Sequence, residues 1–258
     1  MRITRDLKLP LALLPLILLG AGCVTTRTPH LANAHAKQDA AADNTQLAMA
    51  YMQAGNLPRA KEKLDKALQE NPSNANTHSV LALFYERLNE QNKAESEFRE
   101  AMRLAPGDPG PVNFYGVYLC GQHRVDEGVT KLLQVATNPL YRTPEAAYTN
   151  AGVCLRTAQR NDEAESAFRR AMAIRPDFAE ATFQLADLEL ARGRALEART
   201  RVDLFLARYN PTPDLLLLGV RAARALGDAR SVAQYAKTLR ADFPDSDQAR
   251  SVGADPPG

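Results

Sequence analysis

Residues 75–108 read ANTHSVLALFYERLNEQNKAESEFREAMRLAPGD. Leu81, Ala82 and Tyr85 recur at helical spacing, and so do Ala94, Phe98 and Ala101 after a polar break; Pro106 ends the second run. Residues 41–74 repeat the pattern with Leu47, Ala48, Tyr51, Ala60, Leu64, Ala67 and Pro72. Residues 145–178 repeat it again with Tyr148, Gly152, Leu155, Ala164, Phe168, Ala171 and Pro176. Pro72 and Pro106 stand 34 residues apart, and Pro176 and Pro244 twice that. Between Pro106 and Pro176 lie two periods plus a two-residue insertion.

This period and template resemble the tetratricopeptide repeat, a pair of antiparallel helices. Small residues at positions 8, 20 and 27 of each repeat let helices approach closely. Large ones at 4, 7, 11 and 24 fill the gaps, and proline at 32 turns the chain into the next unit. The prediction is an all-α, right-handed superhelical solenoid of about six repeats over 44–246, near 41–74, 75–108, 109–144, 145–178, 179–212 and 213–246. Repeats three, five and six are looser. Repeat three has Gly128 where Ala belongs, repeat five has Pro211 one place late, and repeat six keeps Gly227 and Pro244. Residues 247–258 read as a disordered tail.

The composition agrees. Ala and Leu dominate, aromatic residues are 6% and Trp is absent, which favours helix over strand. Beyond residue 22 the acidic and basic side chains balance, so no general attraction to nucleic acid is expected.

The N-terminus is different. Arg2, Arg5 and Lys8 precede an uncharged run, LPLALLPLILLGAG (9–22), which is too short for a comfortable membrane span. It fits the apolar core of a secretory signal over 1–22. The run ends in Leu19-Gly20-Ala21-Gly22-Cys23, which resembles a bacterial lipobox, with Gly20 where the pattern usually has Leu. The resemblance implies cleavage before Cys23 and acylation of its thiol, palmitate included; the other reading is an ordinary cleaved signal. At least two acyl chains are needed for stable attachment. Residues 23–43 read as the acylated cysteine and a flexible tether, and Val24 favours outer-membrane sorting. His30 and His35 in that tether read as solvated.

No GxSxG, HExxH, P-loop, CxxC or strand-linked GxGxxG is present, and the four histidines have no partner at ligand spacing. His78 reads as a packing residue. No enzyme, metal or cofactor is expected, so the function must be binding. Positions 2, 5, 9, 12 and 13 of each first helix should line a concave groove. In repeats one and two these include Ala42, Thr45, Met49, Met52 and Gln53, then Asn76, Ser79, Leu83, Glu86 and Arg87. Two Met and a Leu suggest an adaptable apolar patch for a protein partner, with no small-molecule substrate. Arg221 and Arg224 read as a basic spot in repeat six.

Cys120 and Cys154 fall on the first helices of adjacent repeats, and such helices pack together. With Cys23 acylated, they form the available pair in an oxidising compartment. A bridge needs Cα atoms about 4.4–6.8 Å apart; otherwise they are two small buried thiols.

Asn113-Phe114-Tyr115-Gly116-Val117-Tyr118-Leu119-Cys120 is unusual for a generic repeat, as are Asn138-Pro139-Leu140-Tyr141 and Asn150-Ala151-Gly152-Val153-Cys154. With six repeats behind a lipobox, they resemble the type IV pilus biogenesis lipoproteins, the pilotin family of PilF and PilW. The resemblance covers about 43–245 and is most specific over 113–154. It implies a lipid-anchored protein on the periplasmic face of the outer membrane. Such a protein binds the pilus secretin and promotes its targeting, multimerisation or stability, without a cofactor. An alternative is a repeat scaffold for cell-wall hydrolases or outer-membrane protein assembly.

Overall fold

The computed structural model describes residues 29–253. The signal segment, Cys23 and the start of the tether lie outside them. The described residues form helices and turns only. Six helix pairs follow one another. They are α1 (Pro29–Gln53) with α2 (Leu57–Glu70), α3 (Ala75–Arg87) with α4 (Gln91–Leu104), and α5 (Pro109–Gly121) with α6 (Val125–Ala136). Then come α7 (Pro144–Thr157) with α8 (Asn161–Ile174), α9 (Ala179–Ala191) with α10 (Ala195–Leu206), and α11 (Pro213–Ala225) with α12 (Ala229–Asp242). A short α13 (Asp247–Gly253) is the last helix among the described residues. No helix among the described residues is long and apolar enough to cross a membrane.

Each first helix packs on the next first helix, whereas second helices pack mainly on the first helices before and after them and reach one another through side-chain bonds such as Tyr235 of α12 to Asp203 of α10. The closer stacking of α1, α3, α5, α7, α9 and α11 curves the solenoid so that they face its inner side.

The turn inside every repeat is built alike. Its position 15 is Gly55, Asn89, His123, Gln159, Gly193 or Gly227, and all six have φ between +57° and +75°. Glycine adopts that left-handed region freely, and Asn and His tolerate it better than most residues. His123 is therefore a turn residue.

The core follows the template. Ala60, Leu64, Ala67, Ala94, Phe98, Ala101, Ala164, Phe168 and Ala171 are fully buried. At Gly152 an added Cβ would come within 2.4 Å of the Phe168 ring, so position 8 must be glycine for that ring to lie there. The departure at Gly128 has a similar cause. A Cβ there would meet the Cys120 sulfur at 2.5 Å and the Gly116 carbonyl oxygen at 2.8 Å.

A row of arginines ties the middle repeats together. Arg124, Arg160 and Arg194 occupy position 16, the cap residue of α6, α8 and α10. Arg124 donates to Glu127 in its own helix and to Glu95 of the preceding repeat at 2.9 Å. Arg160 does the same with Glu163 and Asp126. Arg194 grips Glu165 of α8 at 2.6 Å. Deeper still, Glu189 is 1% exposed and accepts two bonds from Arg201, which satisfies a buried charge.

Two expectations change. The tether was expected to be flexible through residue 43, but 29–43 belong to α1. Ala32, Ala34, Ala36, Ala40, Ala41 and Ala42 make this a strong helix former without apolar periodicity, and Ala41 is buried. The tail was expected to be disordered from 247, but 247–253 form α13. The Ser246 hydroxyl accepts from the Ala249 amide and starts this helix. Ala249 and Val252, three residues apart, then bury against the repeat-six core.

Candidate functional site

Position 9 of the six first helices forms a row along the inner face: Met49, Leu83, Val117, Val153, Asp187 and Arg221. The first four are apolar. Val117 and Val153 are exposed, and Met49 and Leu83 are half-buried. Between Met49 and Leu83 the surface opens into a cleft of 180 Å³ lined by Met49, Met52, Gln53, Leu83, Glu86 and Arg87. Met52 is its floor, only 4% exposed. Arg87 donates to the Met52 carbonyl oxygen, which holds its aliphatic stem along the cleft wall. Burial pushes the Glu86 carboxyl above its usual range, against the opposing pull of Arg87 and a hydrogen bond from Gln122. The cleft is thus mainly apolar, with one cation and one reluctant anion at its rim.

Of the expected groove residues, Met49, Gln53, Leu83 and Arg87 line this cleft and Met52 lies beneath it. Thr45 and Ser79 do not. Both are fully buried where first helices meet. The Thr45 hydroxyl lies 2.7 Å from the Ala41 carbonyl oxygen and 2.8 Å from the Thr77 hydroxyl, and Ser79 donates to the Ala75 carbonyl oxygen at 3.0 Å. A short hydroxyl satisfied by its own helix has no need of solvent, and the neighbouring helix closes over it. The sequence reading passed over Val117 and Val153, although their position in the repeat equals that of Met49 and Leu83.

The far end of the row is charged and self-satisfied. Asp187 accepts from Arg156 at 2.5 Å and from Arg221 at 3.0 Å, and Arg156 also donates to Gln184 at 3.1 Å. Of the basic spot expected at Arg221 and Arg224, Arg221 is paired with a carboxylate one repeat earlier.

Beside the middle of the row, Cys120 of α5 and Cys154 of α7 are joined in a disulfide, with Cα atoms 5.5 Å apart. His78 holds Glu97 of α4 at 2.6 Å and the Pro72 carbonyl oxygen at 3.0 Å, so it bridges elements as well as packing. The described residues contain no group of three or more His, Cys, Asp or Glu that could hold a metal ion.

Models of the tetratricopeptide repeat match residues 45–109 and 155–219. The type IV pilus assembly protein PilF of Pseudomonas aeruginosa is 29% identical over 226 residues, 87% of this chain and 90% of its own length. The crystal structure of PilW, described as a widely conserved type IV pilus biogenesis factor, is 31% identical, with a TM-score of 0.62 over 83% of this chain and 98% of its own. The solved structure of Pseudomonas aeruginosa PilF is 27% identical, with a TM-score of 0.59 over 85% of this chain and 99% of its own. Six stacked helix pairs with this likeness over nearly the whole of each relative place the chain in the tetratricopeptide-repeat family of type IV pilus biogenesis proteins that contains PilF and PilW.

Proposed function

We propose that this protein is a pilotin: a lipoprotein, acylated at Cys23 and held on the periplasmic face of the outer membrane, that binds the type IV pilus secretin. There it promotes the secretin's targeting, assembly into a multimeric ring, or stability. The likeness to PilW over 98% of that chain carries this reading. The lipobox-like end of the signal segment supports the anchor. The apolar cleft at Met49 and Leu83 supports a protein segment as the ligand. The cleft's Met side chains can repack around different apolar contacts. Anchoring the cleft raises the effective concentration of secretin near the bilayer without any tighter contact. The chemistry asked of the chain is binding alone.

The test is the amount of heat- and detergent-resistant secretin multimer in outer membranes with and without the gene. Loss of the multimer with persistence of monomer is the expected result. An unchanged, correctly located multimer overturns the proposal and leaves a scaffold for hydrolases or for outer-membrane protein assembly as the reading to pursue. The variant for mapping is Met49→Glu with Leu83→Glu. Met52→Glu is unsuitable, because it would place a carboxylate at a buried site.

A further inference from the structure

The solenoid has two edges: one carries the turns inside repeats, the other the loops between them. First helices run parallel: α1 meets α3 at Thr45–Thr77, 2.8 Å apart, and again further along both helices, where Arg87 reaches the Met52 carbonyl oxygen, and α5 meets α7 in the same sense at Asn113–Asn150 and at the Cys120–Cys154 bridge. Their N-terminal ends therefore share the inter-repeat edge. Helix α1 alone continues past it. Its side chains from Ala36 to Asp39 are exposed, and the helix reaches back to Pro29, about 15 Å beyond the stack at 1.5 Å per residue. The chain towards Cys23 leaves from this edge.

The same edge carries an unusual surface. The inserted residues after α6 raise a loop whose tip, Leu140, is 74% exposed, the highest value among the exposed large apolar side chains. Ile174, at the end of α8, is 47% exposed. Pro139, Arg142, Arg175 and Pro176 are exposed beside them. The two loops form one patch. Tyr141 and Phe178 pack against a common cluster, and Arg175 of the second loop donates to Glu145, just after the first, at 2.6 Å. The repeat does not require any of this: the insertion departs from the period, and an exposed leucine at a loop tip contributes nothing to the core.

Resting on the lipid-anchor reading above, we infer that this edge faces the phospholipid bilayer, with Leu140 and Ile174 entering the interface and Arg142 meeting a headgroup phosphate, while Arg175 stays paired with Glu145 and Asp177. Apolar tips beside an arginine suit that boundary, where the side chain buries its stem and leaves its charge in the polar layer.

The absence of tryptophan supplies the probe. Leu140→Trp, Ile174→Trp and, on the opposite edge, Leu88→Trp each give a single-tryptophan protein. Each is purified as the acylated full chain and reconstituted into vesicles of phosphatidylethanolamine and phosphatidylglycerol with brominated acyl chains. The expected result is blue-shifted, quenched emission from Leu140→Trp and Ile174→Trp, with Leu88→Trp neither shifted nor quenched. Equal quenching at both edges, or none at either, overturns the inference. Should Leu140→Trp fail to fold, Ile174→Trp carries the same test. The mass of the N-terminal fragment separates the two readings. Acyl chains on Cys23 without quenching refute the orientation alone, and an unmodified Cys23 refutes the anchor and the orientation together.

Discussion

Repeats one and two and repeats three and four share a template but use it differently. Position 8 is Ala48 and Ala82 in the first pair, and Gly116 and Gly152 in the second. Position 12 is Met52 and Glu86 in the first pair, where both border a cleft, and Cys120 and Arg156 in the second. A Cβ on Gly116 would come within 2.8 Å of Leu132, and one on Gly152 within 2.4 Å of Phe168. Inside each repeat of the second pair the two helices are thus drawn close, and the disulfide joins the two repeats covalently, while the first pair rests on a threonine pair and apolar contacts. The difference teaches where a solenoid spends its variable positions. Where repeats must hold one arrangement, glycine and cysteine close the gap. Where a surface must adapt, alanine and methionine leave it open.

The comparison can be broken in order of expected effect. Phe98 and Phe168 are the same template residue, both fully buried. Truncating either to Ala should cost about 3–5 kcal/mol in denaturant unfolding. A marked difference between them would show that one pair owes its stability to something other than its core. Cys120→Ser with Cys154→Ser should cost about 2–4 kcal/mol, since the bridge closes a 34-residue separation. Hydrogen exchange should place the loss in α5 and α7, and two reactive thiols in the unfolded, unreduced mature protein would show that the bridge is not formed. Gly152→Ala should cost about 1–3 kcal/mol by overpacking against Phe168. Its counterpart Ala82→Gly should cost about 1 kcal/mol, through backbone freedom instead. Met49→Glu with Leu83→Glu should cost about 1–2 kcal/mol, because both side chains are half-buried against the core, and leave the fold intact while the secretin capture proposed above is lost. The last effect is electrostatic and shows only at acid pH. Arg194 beside Glu165, with Arg169 helping, holds its carboxyl at about 2, against an ordinary 4.5. A depressed carboxylate stabilises the fold above pH 4.5, and that contribution is lost as pH falls from 4.5 through about 2. Glu165→Gln should flatten that part of the stability profile.

The proline spacing made the helix pairs legible, because proline stops a helix whatever surrounds it. The cleft was legible in part. Met49, Gln53, Leu83 and Arg87 follow from repeat position, but Thr45 and Ser79 share groove positions and are buried, since a hydroxyl that bonds its own backbone can be covered at little cost. The arginine row was invisible, because Arg124, Arg160 and Arg194 meet partners 29 to 34 residues away, and only the folded stack brings them together. Helix α13 was missed because it follows the last repeat and keeps just two apolar residues to bury, Ala249 and Val252. The early start of α1 was missed because alanine forms helix without a periodic apolar signal.

The bridge between α5 and α7 also sets how the molecule answers a pull along its chain. A solenoid stretched from its ends unravels helix by helix and pays out contour length. The bond between Cys120 and Cys154 withholds the 34-residue span between them, about 120 Å of extended chain, from that extension. Load entering at the N-terminal end must pass across the bridge before it reaches repeats five and six, and α6 lies outside its path. Helices on either side of the bridge can yield while α6, the inserted loop and its Leu140 tip keep their shape.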